Sequence, residues 1–161
     1  MLMIQLNIFM VILLSSLAVH AWFKLDRKQT VHKLFVTLMF LTILILILEM
    51  LSVLLNSNMY INFITAHKMV NTLGFLLTPL VPICAILYVC KRTSKYKTID
   101  VSKILWLSLP LAINSIMSLG SFTFNWIFAI TDENMYVRGP LFFISPMTSY
   151  LSLSRILCMA P

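Results

Sequence analysis

The chain has 161 residues, of which 60% are hydrophobic and 11% are charged, with a formal net charge of +7. A soluble domain carries about a quarter charged residues, so this composition excludes an ordinary soluble enzyme and indicates an integral membrane protein. Three glycines exclude a glycine-rich phosphate loop, and three cysteines without C-x-x-C spacing indicate neither a metal knuckle nor a redox pair.

Five apolar stretches follow one another along the chain, each long enough to cross a bilayer as a helix. The clearest of them, residues 34–55, is 22 residues long. At about 1.5 Å rise per residue it reaches about 33 Å, slightly more than a hydrocarbon core of about 30 Å. The predicted spans are residues 4–23, 34–55, 69–90, 104–130 and 141–160. They predict a single all-α domain over residues 1–161, a polytopic transmembrane helical bundle of about five spans.

The basic residues lie in the gaps between these spans, and their number alternates. In chain order the gaps hold four, one, five and one lysines or arginines. Because cytoplasmic loops carry the excess of Lys and Arg, a multi-pass protein of the plasma membrane is predicted, with loops 24–33 and 91–103 inside and the N-terminus outside. A cleaved signal peptide is the alternative for the first span, but no positive charge precedes it. Loop charges of this kind attract anionic headgroups, so no nucleic-acid partner is expected.

Two prolines lie near the centre of the third span, in the segment Thr78-Pro79-Leu80-Val81-Pro82. Each removes a backbone donor and clashes with the preceding turn, so a kink is predicted. A kink that only serves packing is favoured over one with moving parts. Before the fifth span, Gly139-Pro140 is typical of a helix start, where the missing N–H of proline costs nothing.

Polar residues inside the predicted spans are the candidate site, because such groups usually face protein or water rather than lipid. Glu49 lies six residues before the end of the second span, about 9 Å along the helix axis. It needs a basic partner such as Lys68 or Arg138, unless it takes up a proton. Asn114, Ser118, Ser121 and Asn125 are spaced four, three and four, which places them on one helical face.

Two interpretations of these polar residues remain open. One is helix packing, in which small and hydrogen-bonding side chains join neighbouring helices. The other is a ligand cavity or intramembrane polar network that opens to the outside. The residues predicted for it are Glu49, Asn71, Asn114, Ser118, Ser121, Asn125 and Arg138.

Catalytic and metal-binding motifs are missing from the sequence. It contains no nucleophile elbow, no H-E-x-x-H and no cluster of carboxylates, and its three histidines are scattered. We therefore expect no enzyme activity, no catalytic or metal-binding residues and no cofactor. The expected partners are the lipid bilayer and, through the helix faces, a second copy of the chain or related membrane modules.

Four short strings stand out beside the apolar spans, at residues 5–9, 24–28, 49–52 and 134–142. Together they resemble the N-terminal membrane region of Firmicutes-type GGDEF diguanylate cyclases, and Tyr136-x-Arg138-Gly139-Pro140 is the most specific part. The resemblance covers residues 1 to about 153. It implies a bacterial multi-helix sensory module that passes a signal to a cytoplasmic cyclase domain, in cyclic di-GMP signalling.

The cyclase domain itself has no counterpart in this sequence. No metal- or nucleotide-binding motif is present, and Arg155 to Pro161 departs from the family pattern. The expectation is therefore a sensory input module truncated before its output domain, which could not make cyclic di-GMP. The alternatives are a small transporter or channel-like membrane subunit and the input region of a histidine kinase.

Overall fold

The computed structural model describes residues 2–24, 29–56, 63–92 and 101–158, and it describes their side chains except at 101–108, 152–153 and 155–158. The described chain is mostly helical. Its helices are α1 Leu2–Lys24, α2 Thr30–Leu55, α3 Ile64–Leu77, α4 Leu80–Arg92, α5 Val101–Phe124 and α6 Ile144–Cys158. Two short strands, β1 Phe128–Ile130 and β2 Tyr136–Arg138, lie between α5 and α6.

Three helical stretches within the described residues are long and apolar enough to cross a membrane. They are Leu2–Lys24, Thr30–Leu55 and the α3–α4 pair Ile64–Arg92, and Leu109–Phe124 is a shorter apolar helix. Large apolar side chains cover the outside of the first helix, where Leu2, Ile12 and Phe23 are 79%, 63% and 81% exposed. Such a surface is stable against lipid and unstable in water, which indicates a membrane protein.

The order of helix contacts places α3 and α4 in the middle of the bundle. α2 packs against α1, α3 and α4, whereas α5 packs against α3 and α6, and α4 also contacts α6. On α1 the buried residues are Asn7, Ala18 and Ala21. The small side chains of Ala18 and Ala21 let two helices approach closely where lipid gives no hydrophobic driving force.

The predicted kink in the third span is a break between two helices. Pro79 has no N–H, and the Thr78 hydroxyl and N–H both donate to the carbonyl of Gly74, at 2.7 and 3.0 Å. Helix α4 then begins at Leu80, so Pro82 falls in its first turn. There the backbone N–H groups lack intrahelical partners and proline is tolerated.

The fourth predicted span is too long, because α5 ends at Phe124 and not at Ile130. Asn125 adopts a left-handed φ of 56°, which Asn tolerates better than most residues, and this turns the chain out of the helix. β1 and β2 then pair antiparallel, with Ala129 opposite Val137. The described chain is nevertheless mostly helical, in agreement with the predicted all-α bundle, and the hairpin of two three-residue strands is a short addition to it. The helix of the fifth predicted span is α6, and it starts later than predicted, at Ile144.

The hairpin is held by an aromatic core. Ile127 and Phe128 are fully buried. The Phe128 ring stacks between Phe75 of α3 and Tyr136 of β2, with centroids 5.6 and 6.3 Å away. Phe142 meets Phe75 edge-on at 6.0 Å. The apolar residues that extend the fourth predicted span therefore pack in a protein core instead of continuing helix α5, and they hold β1 against α3.

Candidate functional site

An open cavity of about 420 Å³ lies between α2, α3 and the hairpin, and we call it the hairpin cavity. Its polar lining residues are Glu49, Ser52, Asn71, Thr78, Tyr136 and Arg138. The other lining residues are apolar and include Phe75 and Phe142. A few polar groups in a mostly apolar wall of this size are typical of a small-molecule binding site.

Glu49 has a different partner from the one predicted. Its Oε2 accepts a hydrogen bond of 3.1 Å from Nδ2 of Asn7, a buried residue of α1. Lys68 and Arg138 form no ion pair with it in the described part of the chain. The prediction failed for two reasons. The packing of α1 along α2 places the Asn7 amide beside the Glu49 carboxylate. The Arg138 guanidinium lies 4.7 Å above the Phe142 ring instead.

Tyr136 precedes Arg138 by two residues and belongs to the same wall. Burial raises the pKa of the Tyr136 phenol above its ordinary value of 10.0, and the charge of Arg138 opposes this shift. The phenol therefore keeps its proton at physiological pH. It can both donate and accept a hydrogen bond at the cavity wall.

A buried polar network beside the cavity joins α2, α3 and the hairpin loop. His67 is fully buried, with Nδ1 3.0 Å from Oδ1 of Asn134 and Nε2 3.3 Å from the Ser52 hydroxyl. Nδ2 of Asn134 donates to the Leu55 carbonyl at 2.7 Å, so its oxygen faces His67. Nδ1 of His67 therefore carries the hydrogen in this contact. The network fixes the hairpin loop to the end of α2.

Ser52 and Asn71 belong to both the network and the cavity wall. The Ser52 hydroxyl donates to Oδ1 of Asn71 at 3.1 Å, and Nδ2 of Asn71 donates to the His67 carbonyl at 2.9 Å. Ser52 has one hydroxyl hydrogen, so it can donate to Asn71 or to a neutral His67 ring, but not to both. A ligand in the cavity that changes the partner of Ser52 therefore also changes the hydrogen bonding of His67. His67 is the residue that contacts Asn134 of the hairpin loop.

The polar face predicted on the fourth span lies elsewhere and serves packing. Nδ2 of Asn114 donates to the Phe75 carbonyl at 2.8 Å. This carbonyl would normally accept from the N–H of residue 79, but Pro79 has none, so Asn114 satisfies the acceptor that the helix break leaves unpaired. The Ser121 hydroxyl accepts the Ile127 N–H at 2.8 Å and so anchors the hairpin.

Ser118 and Ser121 lie one turn apart, are equally buried and differ only in their partners. Oγ of Ser118 has no hydrogen-bond partner among the described residues. We expect Ser118→Ala to leave the free energy of unfolding unchanged or to raise it by about 1 kcal/mol. Ser121→Ala should lower it by about 1–3 kcal/mol, because the Ile127 N–H is left unsatisfied. Unfolding by SDS titration in mixed micelles measures both, and equal losses would contradict this assignment.

The structure thus divides the predicted site residues into two groups. Glu49, Asn71 and Arg138 line the hairpin cavity, whereas Asn114, Ser118 and Ser121 are buried in packing contacts and Asn125 is exposed beyond the end of α5. The sequence prediction missed Asn7, Ser52, His67, Asn134 and Tyr136. The available signal was weak: Asn7 is one of two amides, with Gln5, at the start of an apolar span, and Asn134 and Tyr136 fall in the string 134–142.

No group of three or more His, Cys, Asp or Glu side chains within the described ranges could hold a metal ion. Comparison of the chain with family models, with curated proteins and with solved structures found no match in any of the three.

Proposed function

We propose that the chain is a multi-pass sensory module of the plasma membrane, with about five spans and an outside N-terminus, in which the hairpin cavity receives the signal. The observation that carries this proposal is the sharing of Ser52 and Asn71 between the cavity wall and the network that holds the hairpin loop. A ligand that contacts these side chains differently in two arrangements of the hairpin shifts the balance between them.

The route from the cavity to the opposite end of the bundle runs through the helix break. Thr78 lines the cavity, and α4 begins immediately beyond Pro79 and ends at Lys91 and Arg92. A helix pair joined by a break can change direction at that point. The resemblance to the membrane region of GGDEF diguanylate cyclases supports a role as the input of a cytoplasmic output domain.

The test is a fusion of residues 1–161 to a diguanylate cyclase catalytic domain, with cyclic di-GMP measured in cells. Glu49→Gln and Arg138→Gln should change the output about tenfold, since a shift of about 1.4 kcal/mol between two arrangements has that effect. Glu133→Gln and Lys68→Gln remove the same charges outside the cavity and should leave the output unchanged. Equal outputs from all four variants at equal expression would refute the sensory role.

A small transporter subunit is the second candidate, and the break at Thr78 and Pro79 beside the cavity favours it. Discontinuous helices next to a polar site are typical of secondary transporters. Uptake of radiolabelled amino acids into proteoliposomes distinguishes the two functions. A sensory module binds without net transport, whereas uptake that depends on Glu49 would establish the transporter.

The proposed topology gives a prediction of its own. In a background without native cysteines, Thr93→Cys should resist a membrane-impermeant maleimide added to intact cells, and Thr131→Cys should react. The reason is the alternation of basic residues, which places loop 91–103 inside and loop 131–139 outside. Residues 93–100 lie outside the described ranges, so labelling is the direct measurement. Reaction at position 93 with protection at position 131 would reverse the topology.

A further inference from the structure

The hairpin cavity carries two opposite charges that do not neutralise each other. Oε2 of Glu49 accepts the Asn7 amide, and Oε1 has no hydrogen-bond partner among the described residues. The Arg138 guanidinium lies 4.7 Å above the Phe142 ring, and its N–H donors form no hydrogen bond or ion pair among the described residues. Both side chains are exposed, so a ligand can reach them in the folded protein.

The surroundings of these charges decide which ligand chemistry fits. The rest of the wall is mostly apolar, with Phe75 among the lining residues. Next to apolar groups and lipid, an unpaired charge is costly, and a charge-assisted hydrogen bond is stronger than a neutral one. A ligand with one charge would satisfy one side chain and repel the other. A ligand with both charges satisfies Glu49 and Arg138 together.

We propose that the hairpin cavity binds a small zwitterion, whose ammonium group pairs with Glu49, whose acidic group pairs with Arg138, and whose apolar remainder packs against the Phe75 side of the wall. The inference rests on the proposed function for its choice of site. Two sources supply this chemistry: a free amino acid with an apolar side chain, and the headgroup of an ethanolamine phospholipid. The cavity volume of about 420 Å³ is within the range of small-ligand sites.

The first experiment uses the unmodified full chain, in nanodiscs of phosphatidylglycerol, which carries no amine. Calorimetry compares leucine with 3-methylbutylamine, which lacks the carboxylate, and with 4-methylpentanoate, which lacks the ammonium group. Leucine should bind at least about tenfold more tightly than either, because each loses one charged hydrogen-bonding pair. In parallel, the melting temperature is measured in discs with and without phosphatidylethanolamine.

The two arms distinguish the sources. Leucine binding identifies a free amino acid, whereas an increase in melting temperature with phosphatidylethanolamine and no leucine binding identifies the lipid headgroup. Binding of the amine or the acid as tightly as leucine, or no response in either arm, would overturn the inference.

Variants then locate the binding. Glu49→Gln and Arg138→Gln should each weaken binding about tenfold to hundredfold, and Glu133→Gln and Lys68→Gln should not. The melting temperature without ligand shows whether each variant is folded, and the ligand series on the unmodified chain remains decisive if one is not. Unweakened binding to folded Glu49→Gln and Arg138→Gln would place the ligand elsewhere and overturn the assignment.

Failure of this inference and failure of the sensory function give different results. If no zwitterion binds but the cyclase fusion responds to Glu49→Gln, the ligand class is wrong and the sensory role stands. If a zwitterion binds at Glu49 and Arg138 but changes no output of the fusion, the ligand class stands and the sensory role fails.

Discussion

Replacement of Gly139 by valine is expected to detach the hairpin from the bundle and to lower the free energy of unfolding by about 3 kcal/mol, at the upper end of overpacking substitutions. A Cβ at this position would overlap the Trp126 carbonyl oxygen and lie 2.7 Å from the carbonyl oxygen of Asn125. These are backbone atoms and cannot rotate away as a side chain would. The Gly139 N–H also donates to the Ile127 carbonyl at 2.8 Å, which holds the two segments together. SDS titration of the purified chain measures the loss.

Gly74 of α3 is the control position, because it tests an added Cβ at a glycine with open space around it. An added Cβ there meets nothing within 4 Å. Gly74→Ala should therefore raise the free energy of unfolding by up to about 1 kcal/mol, because alanine is the better helix former. A loss at Gly74→Ala as large as that at Gly139→Val would show that the close approach at Gly139 does not hold the hairpin.

His67→Leu is expected to lower the free energy of unfolding by about 1–3 kcal/mol, because it removes the polar contacts of a fully buried ring. Oδ1 of Asn134 would lose its partner, and an unsatisfied buried polar group costs about 1–3 kcal/mol, whereas the Ser52 hydroxyl keeps its hydrogen bond to Asn71. The hairpin loop should also be released from the end of α2. Its release is measured as faster maleimide labelling of Thr131→Cys in the purified chain.

His20 provides the control for this prediction, because it is exposed on α1. His20→Leu should change the free energy of unfolding by no more than about 0.5 kcal/mol, as surface substitutions usually do. If His67→Leu were equally mild and labelling at position 131 unchanged, the buried network would not be the link between the cavity and the hairpin loop.

Some features of this protein follow from local sequence. An apolar stretch longer than a bilayer is thick indicates a membrane helix wherever it lies in the chain, so α1, α2 and the α3–α4 pair were predictable. Pro79 interrupts its helix because a missing N–H and a ring clash act within one turn. Glu49 and Arg138 were candidates because polar groups in such a chain are costly. Each inference uses forces that act over a few neighbouring residues.

The hairpin is the part of the fold that local sequence could not give. Residues 126–130 are apolar, and both a lipid-crossing helix and a buried strand require apolar residues, so composition does not distinguish them. Tertiary contacts decided between them: Phe128 stacks on Phe75, and Ser121 accepts the Ile127 N–H. These contacts bury the segment in protein.

The partners within the candidate site depend on long-range contacts in the same way. Asn7 meets Glu49 across 42 residues, Asn114 meets Phe75 across 39, and His67 meets Asn134 across 67. The sequence determined that such polar groups need partners, because an unpaired polar group in an apolar bundle is unstable. Which partner each polar group has was determined only by the tertiary packing: of α1 on α2, of α5 on α3, and of the hairpin on α2 and α3.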